Sequence, residues 1–285
     1  MKTSLEHLPE KKQHQVRALG ELIRKEAEVE MVILFGSFAR GDWVEDPVGG
    51  YFSDLDVLVI VKSPSMVDKV KLWSKIEDRA RRITKPTSLS LIVHDIKDVN
   101  EQLEKGFYFF SDIKKEGIMI YDSGQFHLAE PKERTLAERK AHAQAWFEQW
   151  LKSANGFYRQ YEHAVDDAEW SIAAFDLHQA TERLYHCVLL VLTAYKPKVH
   201  NIEDLGKRAG DLHPALRNVF PRGTPEEDRL FKLLKRAYVD ARYDPNFSIT
   251  REELEALAVH VRELRSRVEM VCRERIEAMA VEMPG

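Results

Sequence analysis

Two apolar runs constrain this chain more than anything else in it. MVILF at 31–35 ends in Gly36-Ser37, and LDVLVIV at 55–61 follows directly on Asp54. Short apolar runs rich in Val and Ile and bounded by breakers read as buried strands. Side chains alternate across a strand, so Asp54 and Asp56 share one face while Leu55 takes the other. Two carboxylates held that close repel unless something neutralises them, and a hard divalent cation with oxygen ligands, Mg2+ or Mn2+, does so. Gly36 lets backbone approach a phosphate, Ser37 offers a hydroxyl, and a short helix beginning near Phe38 turns free N–H groups toward an anion. Phosphate on one side and metal on the other is a layout for phosphoryl transfer.

The rest of the composition limits what such a site can belong to. The chain has 285 residues, 44% hydrophobic and 32% charged, which suits a globular protein with room for two separate cores. With 43 Lys and Arg against 47 Asp and Glu the net charge is −4, so no basic arm points to nucleic acid or to a membrane surface. Cys187 and Cys272 match no metal or redox motif and read as core residues of a reducing compartment. The opening MKTSLEHLPEKKQHQ is polar and lacks the apolar stretch of a signal peptide, and no apolar run is long enough to span a bilayer. The expected location is the cytoplasm.

Along the chain, a helix is expected from about Ser4 to Ala27, then the two strands. Between them WVEDPVGGYF, with Pro47 and Gly49-Gly50, reads as a loop, either a plain surface insertion or a cover over a ligand on which Trp43 and Tyr51 stack. A helix over Ser65–Ile83, a strand over Ser88–His94, a helix over Ile96–Lys105 and an edge strand over Gly117–Tyr121 complete a small mixed unit, ending in a polar boundary between Asp122 and Pro131. Beyond it everything reads as helix: Arg134–His163, a buried central helix over Trp170–Tyr195, Glu226–Tyr243, and a last one started by the capping box of Thr250 and Glu253. Its apolar residues Leu254, Leu257, Val261, Leu264, Val268 and Val271 form a seam, in cis or in a homodimer. The expected fold class is α+β, with domains over 1–125 and 131–285.

The strand-GSFARGD-loop-SDLDVLVIV arrangement resembles the polymerase-beta-type nucleotidyltransferases, in particular their minimal branch. LHQATERLYHCVLLVL, KPKVHNIEDL and RAYVDARYDPNFSIT resemble a HEPN domain. Together they are similar to the fused nucleotidyltransferase-HEPN proteins, whose modules elsewhere occur separately as antitoxin and toxin. The resemblance implies Gly36 and Ser37 as the phosphate grip and Asp54 and Asp56 as the metal-binding catalytic pair. It implies transfer of a nucleoside monophosphate from a nucleoside triphosphate, ATP first among them, to a hydroxyl of a small molecule or a protein tyrosine, Tyr238 and Tyr243 by analogy. Arg40 reaches a nucleotide phosphate or salt-bridges Asp42.

This chain departs from that pattern in places. The stretch from Ser37 to Asp54 is long, with the surplus in the breaker-rich loop. On the third strand, where active relatives carry a third carboxylate, alternation puts Ser90, leaving His94 and Asp95 as substitutes for the base. That leaves a catalytically weak nucleotide-binding or regulatory protein of toxin-antitoxin type as the alternative. HEPN ribonucleases carry an arginine followed after four to six residues by a histidine; neither Arg236 nor Arg242 has one. Tyr238, Asp240, Arg242 and Tyr243 then line an anion pocket or make interhelical hydrogen bonds. Aminoglycoside transferases share the two-part plan, but the helical half has no clear acidic cluster for a cationic drug. His178, Glu182 and His186 share a helix face at a spacing open to metal binding, though a buried helix more often satisfies such groups from its neighbours, and His200 reads as a loop or capping residue.

Overall fold

The computed structural model describes residues 1–46 and 51–281, and divides them into two compact units, one ending at Glu133 and the other beginning at Arg134. In the first, α1 (Glu10–Glu26) leads into β1 (Met31–Phe35) and the short α2 (Gly36–Arg40). A two-stranded ribbon, β2 (Glu45–Asp46) and β3 (Tyr51–Phe52), precedes β4 (Leu55–Val61). Then come α3 (Pro64–Val67), α4 (Val70–Thr84), β5 (Leu89–Asp95), α5 (Ile96–Glu104), α6 (Tyr108–Glu116) and β6 (Ile118–Asp122). The sheet order is β5-β4-β1-β6, with β1 antiparallel to β4 and to β6 and β4 parallel to β5, so the sheet is mixed. One face buries Val32, Leu34, Leu55, Val57 and Val59 against Leu19 and Ile23 of α1 and Trp73 and Ile76 of α4. On the other, Phe35 meets Phe109 of α6 edge-on at 5.7 Å.

Three readings change here. The first helix begins at Glu10 rather than Ser4: Leu5–Leu8 form a turn closed by the Leu8 N–H to Leu5 carbonyl bond, and Pro9 itself is extended at φ −53°, ψ 144°. Leu5 and Leu8 are buried nonetheless, and Lys2 bridges to Ile118. The helix expected over Ser65–Ile83 is two, parted at Asp68 and Lys69. The polar stretch after Asp122 folds back onto its own unit: Asn100 holds the His127 carbonyl and the Ala129 N–H, and Lys114 donates to the carbonyls of Leu128 and Ala129. Pro47 and Gly49-Gly50, read as loop breakers, lie outside the described residues.

The second unit is helical. It contains α7 (Leu136–Asp166), α8 (Trp170–Thr193), α9 (Ile202–Leu212), a 3-10 turn at Pro214–Leu216, α10 (Pro225–Arg236), α11 (Asp240–Tyr243) and α12 (Arg251–Val281). The central helix α8 is buried nearly all round, including Leu177, Leu184, Cys187 and Val188, as its continuous apolar pattern implies. Its core partners include Leu254, Leu257, Val261, Leu264, Val268 and Val271 of α12, so that seam is filled within the chain. Thr250 and Glu253 exchange the two hydrogen bonds of a capping box at the start of α12. The helix expected over Glu226–Tyr243 breaks after Arg236 with neither glycine nor proline at the break. Both cysteines are buried. Among the described residues no helix is long and apolar enough to cross a membrane.

Candidate active site

The first unit brings Gly36, Ser37, Asp54 and Asp56 to one end of its sheet. Phe35, the last residue of β1, pairs with Asp56 of β4. Gly36 follows at φ +72°, a left-handed backbone that costs glycine nothing and a side-chain-bearing residue about 1 kcal/mol or more. A Cβ placed there would stand 2.4 Å from Asp56 Oδ2, so glycine is required twice over, by conformation and by the carboxylate lying against it. The helix α2 starts at Gly36, two residues earlier than expected, and closes at Gly41, φ +96°, whose N–H donates to the Ser37 carbonyl. Its free carbonyls are held from the N-terminal segment, with His7 Nε2–H donating to Phe38 O at 2.8 Å and Lys2 Nζ to Ala39 O at 3.4 Å. Phe38 is wholly buried and anchors the turn.

Asp54 stands one residue ahead of β4 and is 7% exposed; alternation carries it to the same side as Asp56. Just before it, Ser53 and Val44 bond reciprocally, N–H to carbonyl at 2.9 Å and N–H to hydroxyl at 3.0 Å, which closes the base of the β2-β3 ribbon. Trp43 stacks on Phe38 at 5.3 Å and 9° and so anchors α2. The Tyr51 side chain lies outside the described residues.

Ser90 is the residue in register with Asp56 on β5. It is 9% exposed, and its hydroxyl is buried without a hydrogen-bond partner; such a group costs about 1–3 kcal/mol. His94 and Asp95, the expected substitutes for a base, do not reach this end of the sheet. His94 pairs with Ile60, four residues beyond Asp56, which is about 13 Å along the strand. Its Nδ1–H donates to Asp98 Oδ2 at 2.7 Å and its ring packs edge-on to Phe110. Asp95 ends the strand, points to the other face and caps α5 by accepting from the Asp98 N–H at 3.0 Å. Arg40 is exposed, and its Nε donates to Asp42 Oδ2 at 3.1 Å, the salt-bridge alternative of the two.

The donor set fits a magnesium ion. Asp54 and Asp56 offer hard oxygens from one face, and Mg2+ is commonly bound by one or two carboxylates with substrate phosphates and water filling the remaining positions. Among the described residues no group of three or more His, Cys, Asp or Glu is placed to hold a metal.

The same observation removes the metal reading of His178, Glu182 and His186 in the second unit. Glu182 is nearly inaccessible and sits among three imidazoles, with His200 Nδ1–H donating to its Oε2 at 3.1 Å and His178 and His186 at 3.8 and 3.7 Å. Burial pushes its carboxyl up, but the His178 and His200 imidazoles pull harder and hold it below the ordinary carboxylate value. The i, i+4 spacing gave His178 and His186; His200, 18 residues away, carried no sequence signal as a Glu182 partner. Asp240 pairs with Arg236 at 2.5 Å, while Arg242 folds back on the Tyr238 carbonyl and lies over the rings of Phe175, Tyr238 and Tyr243. Tyr238 stacks on His200 at 4.6 Å, and Tyr243 is 72% exposed.

Comparison with curated proteins gives no match. Family models match both parts of the chain: one described as Polymerase beta, Nucleotidyltransferase over residues 17–125, and one described as HEPN domain over residues 147–271. The first match contains Gly36, Ser37, Asp54, Asp56 and Ser90, the second the Glu182 cluster and the Tyr238 group. The order of the two matches along one chain places this protein among the fused nucleotidyltransferase-HEPN proteins.

Proposed function

We propose that the first unit transfers a nucleoside monophosphate from a nucleoside triphosphate, with ATP the first candidate, to an acceptor hydroxyl, and that it does so with Mg2+. The observation that carries this reading is the close approach of Gly36 to the Asp56 carboxylate, with Asp54 beside it. The absence of a side chain at 36 lets the turn lie against the Asp56 carboxylate, and Ser37 would offer its hydroxyl to a phosphate held beside it. Asp54 and Asp56 would hold the metal, which supplies charge neutralisation at the α-phosphate and the leaving pyrophosphate. The two carboxylates and the turn orient the triphosphate so that its α-phosphorus faces the incoming oxygen, and the buried strand ends hold them there without reorganisation.

The acceptor is a small molecule or a protein tyrosine. Tyr243, 72% exposed, is open to modification, and Tyr238 is partly buried under His200. The helical unit is proposed as the homodimerising part and the protein as cytoplasmic. A second reading is a nucleotide-binding regulatory protein of toxin-antitoxin type with little turnover. Ser90, in register beside Asp56, favours it, because serine neither binds metal as a carboxylate does nor acts as a base near neutral pH.

The two readings separate on incubation with each of four α-labelled nucleoside triphosphates and Mg2+. Label recovered on a small molecule or on the protein supports transfer. Saturable, Mg2+-dependent binding with no label transferred and no pyrophosphate formed supports the second reading.

A further inference from the structure

The residue beside Asp56 also bears on which acceptor the site takes. We infer that the acceptor hydroxyl is the ionised one of a phosphate monoester rather than that of an alcohol or a tyrosine, and that Ser90 selects it by donating a hydrogen bond; this narrows, and rests on, the nucleotidyl-transfer reading above. Ser90 is paired in register with Asp56, its side chain shares the carboxylate face, and its hydroxyl is buried without a partner. A hydroxyl in that place has a proton to give and no negative charge. A carboxylate in the same place would take a proton from a neutral alcohol and would add a third negative charge beside Asp54 and Asp56, against an anion.

An alcohol, with a proton held far above neutral pH, needs a base to attack at a useful rate, and the nearest titratable side chains on β5 are committed elsewhere. His94 lies about 13 Å along the strand and is bonded to Asp98, and Asp95 caps α5 from the opposite face. A phosphate monoester needs no such help, since its second proton is lost near pH 6 and its oxygen arrives ionised. That oxygen attacks the α-phosphorus of the triphosphate. A new P–O–P bond forms, the bond from the α-phosphorus to the bridging oxygen breaks, and pyrophosphate leaves with the electron pair. No proton is moved in the bond-making step, and nothing is oxidised or reduced. With inorganic phosphate as the simplest acceptor, the products are a nucleoside diphosphate and pyrophosphate.

The test uses the full chain with Mg2+ and ATP and follows pyrophosphate release, with water alone, inorganic phosphate, glycerol 3-phosphate or glycerol as acceptor. Release that depends on Asp56, lost in Asp56→Asn, reports the underlying reading; its absence with every acceptor would sink that reading and this one together. Given such release, inorganic phosphate and glycerol 3-phosphate are expected to raise it about tenfold over water, and glycerol not at all. Ser90→Ala should lose the phosphate stimulation, and Ser90→Asp should shift the preference to glycerol. Ser90→Ala guards against a Ser90→Asp chain that fails to fold. Stimulation by glycerol equal to that by the phosphates, no stimulation by either phosphate, or full phosphate stimulation in Ser90→Ala would each overturn the inference while leaving the Asp56-dependent reading intact.

Discussion

Gly36 is the residue on which the site turns, because its left-handed backbone and its contact with Asp56 leave no room for a side chain. Gly36→Ala is expected to cost about 1–3 kcal/mol of stability and to abolish Mg2+-dependent nucleotide binding, read by thermal denaturation and by calorimetric titration with ATP. Binding at wild-type affinity would show that the turn does not carry the phosphate. The type of residue was legible here: a glycine after a buried strand, followed by two aspartates two apart, points to phosphate and metal together. What the sequence could not show is the distance, since Gly36 and Asp56 are twenty positions apart and meet only through the pairing of Phe35 with Asp56. His94 and Asp95 misled for the complementary reason. Both are the right chemical type on the right strand, but neither alternation nor composition says how far along a strand the site lies, nor that Asp98 one turn later takes up both side chains.

At the scale of elements, the Asp176 and His186 side chains of α8 shift stability in opposite directions. Burial pushes the His186 imidazole down to about 4 from an unfolded value of 6.5, so the unfolded chain takes up the proton first and stability is lost as pH falls from 6.5 toward 4. Burial pushes the Asp176 carboxyl up to about 6 from 3.8, so the folded form keeps the proton longer and stability is lost as pH rises through that window. The two offset between pH 4 and 6. Asp176→Asn should therefore gain about 1–2 kcal/mol at pH 7.5, discounted for solvent screening, gain little at pH 4, and unmask an acid-side loss from His186. Urea denaturation at the two pH values checks this, and a variant less stable at pH 7.5 would contradict it. The long helices were legible from apolar period and caps, and Thr250 with Glu253 marked the start of α12 as built. The break between α10 and α11 was not, because no residue there is a helix breaker and the pairs Arg236-Asp240 and Tyr238-Arg242, four residues apart, suit an unbroken helix as well.

At the scale of the molecule, each unit has a core of its own. One is built on the mixed sheet with α1 and α4, the other around α8 and α12. Residues 1–133 expressed alone should fold and bind MgATP as the full chain does, by circular dichroism and titration; an unfolded fragment would mean that the first core is incomplete without the second unit. The change from strands to helices was legible in the sequence. The stretch after Asp122 was less so, since its polar composition reads as a linker while Asn100 and Lys114 hold it against α5 and α6. The central claim, that Asp54 and Asp56 hold the metal for attack at the α-phosphate, is tested most directly by measuring Mg2+-dependent pyrophosphate release from nucleoside triphosphates in Asp54→Asn and Asp56→Asn beside the wild type. Both substitutions nearly preserve shape while removing charge, so release should fall by about 100-fold or more with folding unchanged, on the order of 3 kcal/mol of transition-state stabilisation. Wild-type release in both variants would contradict the account.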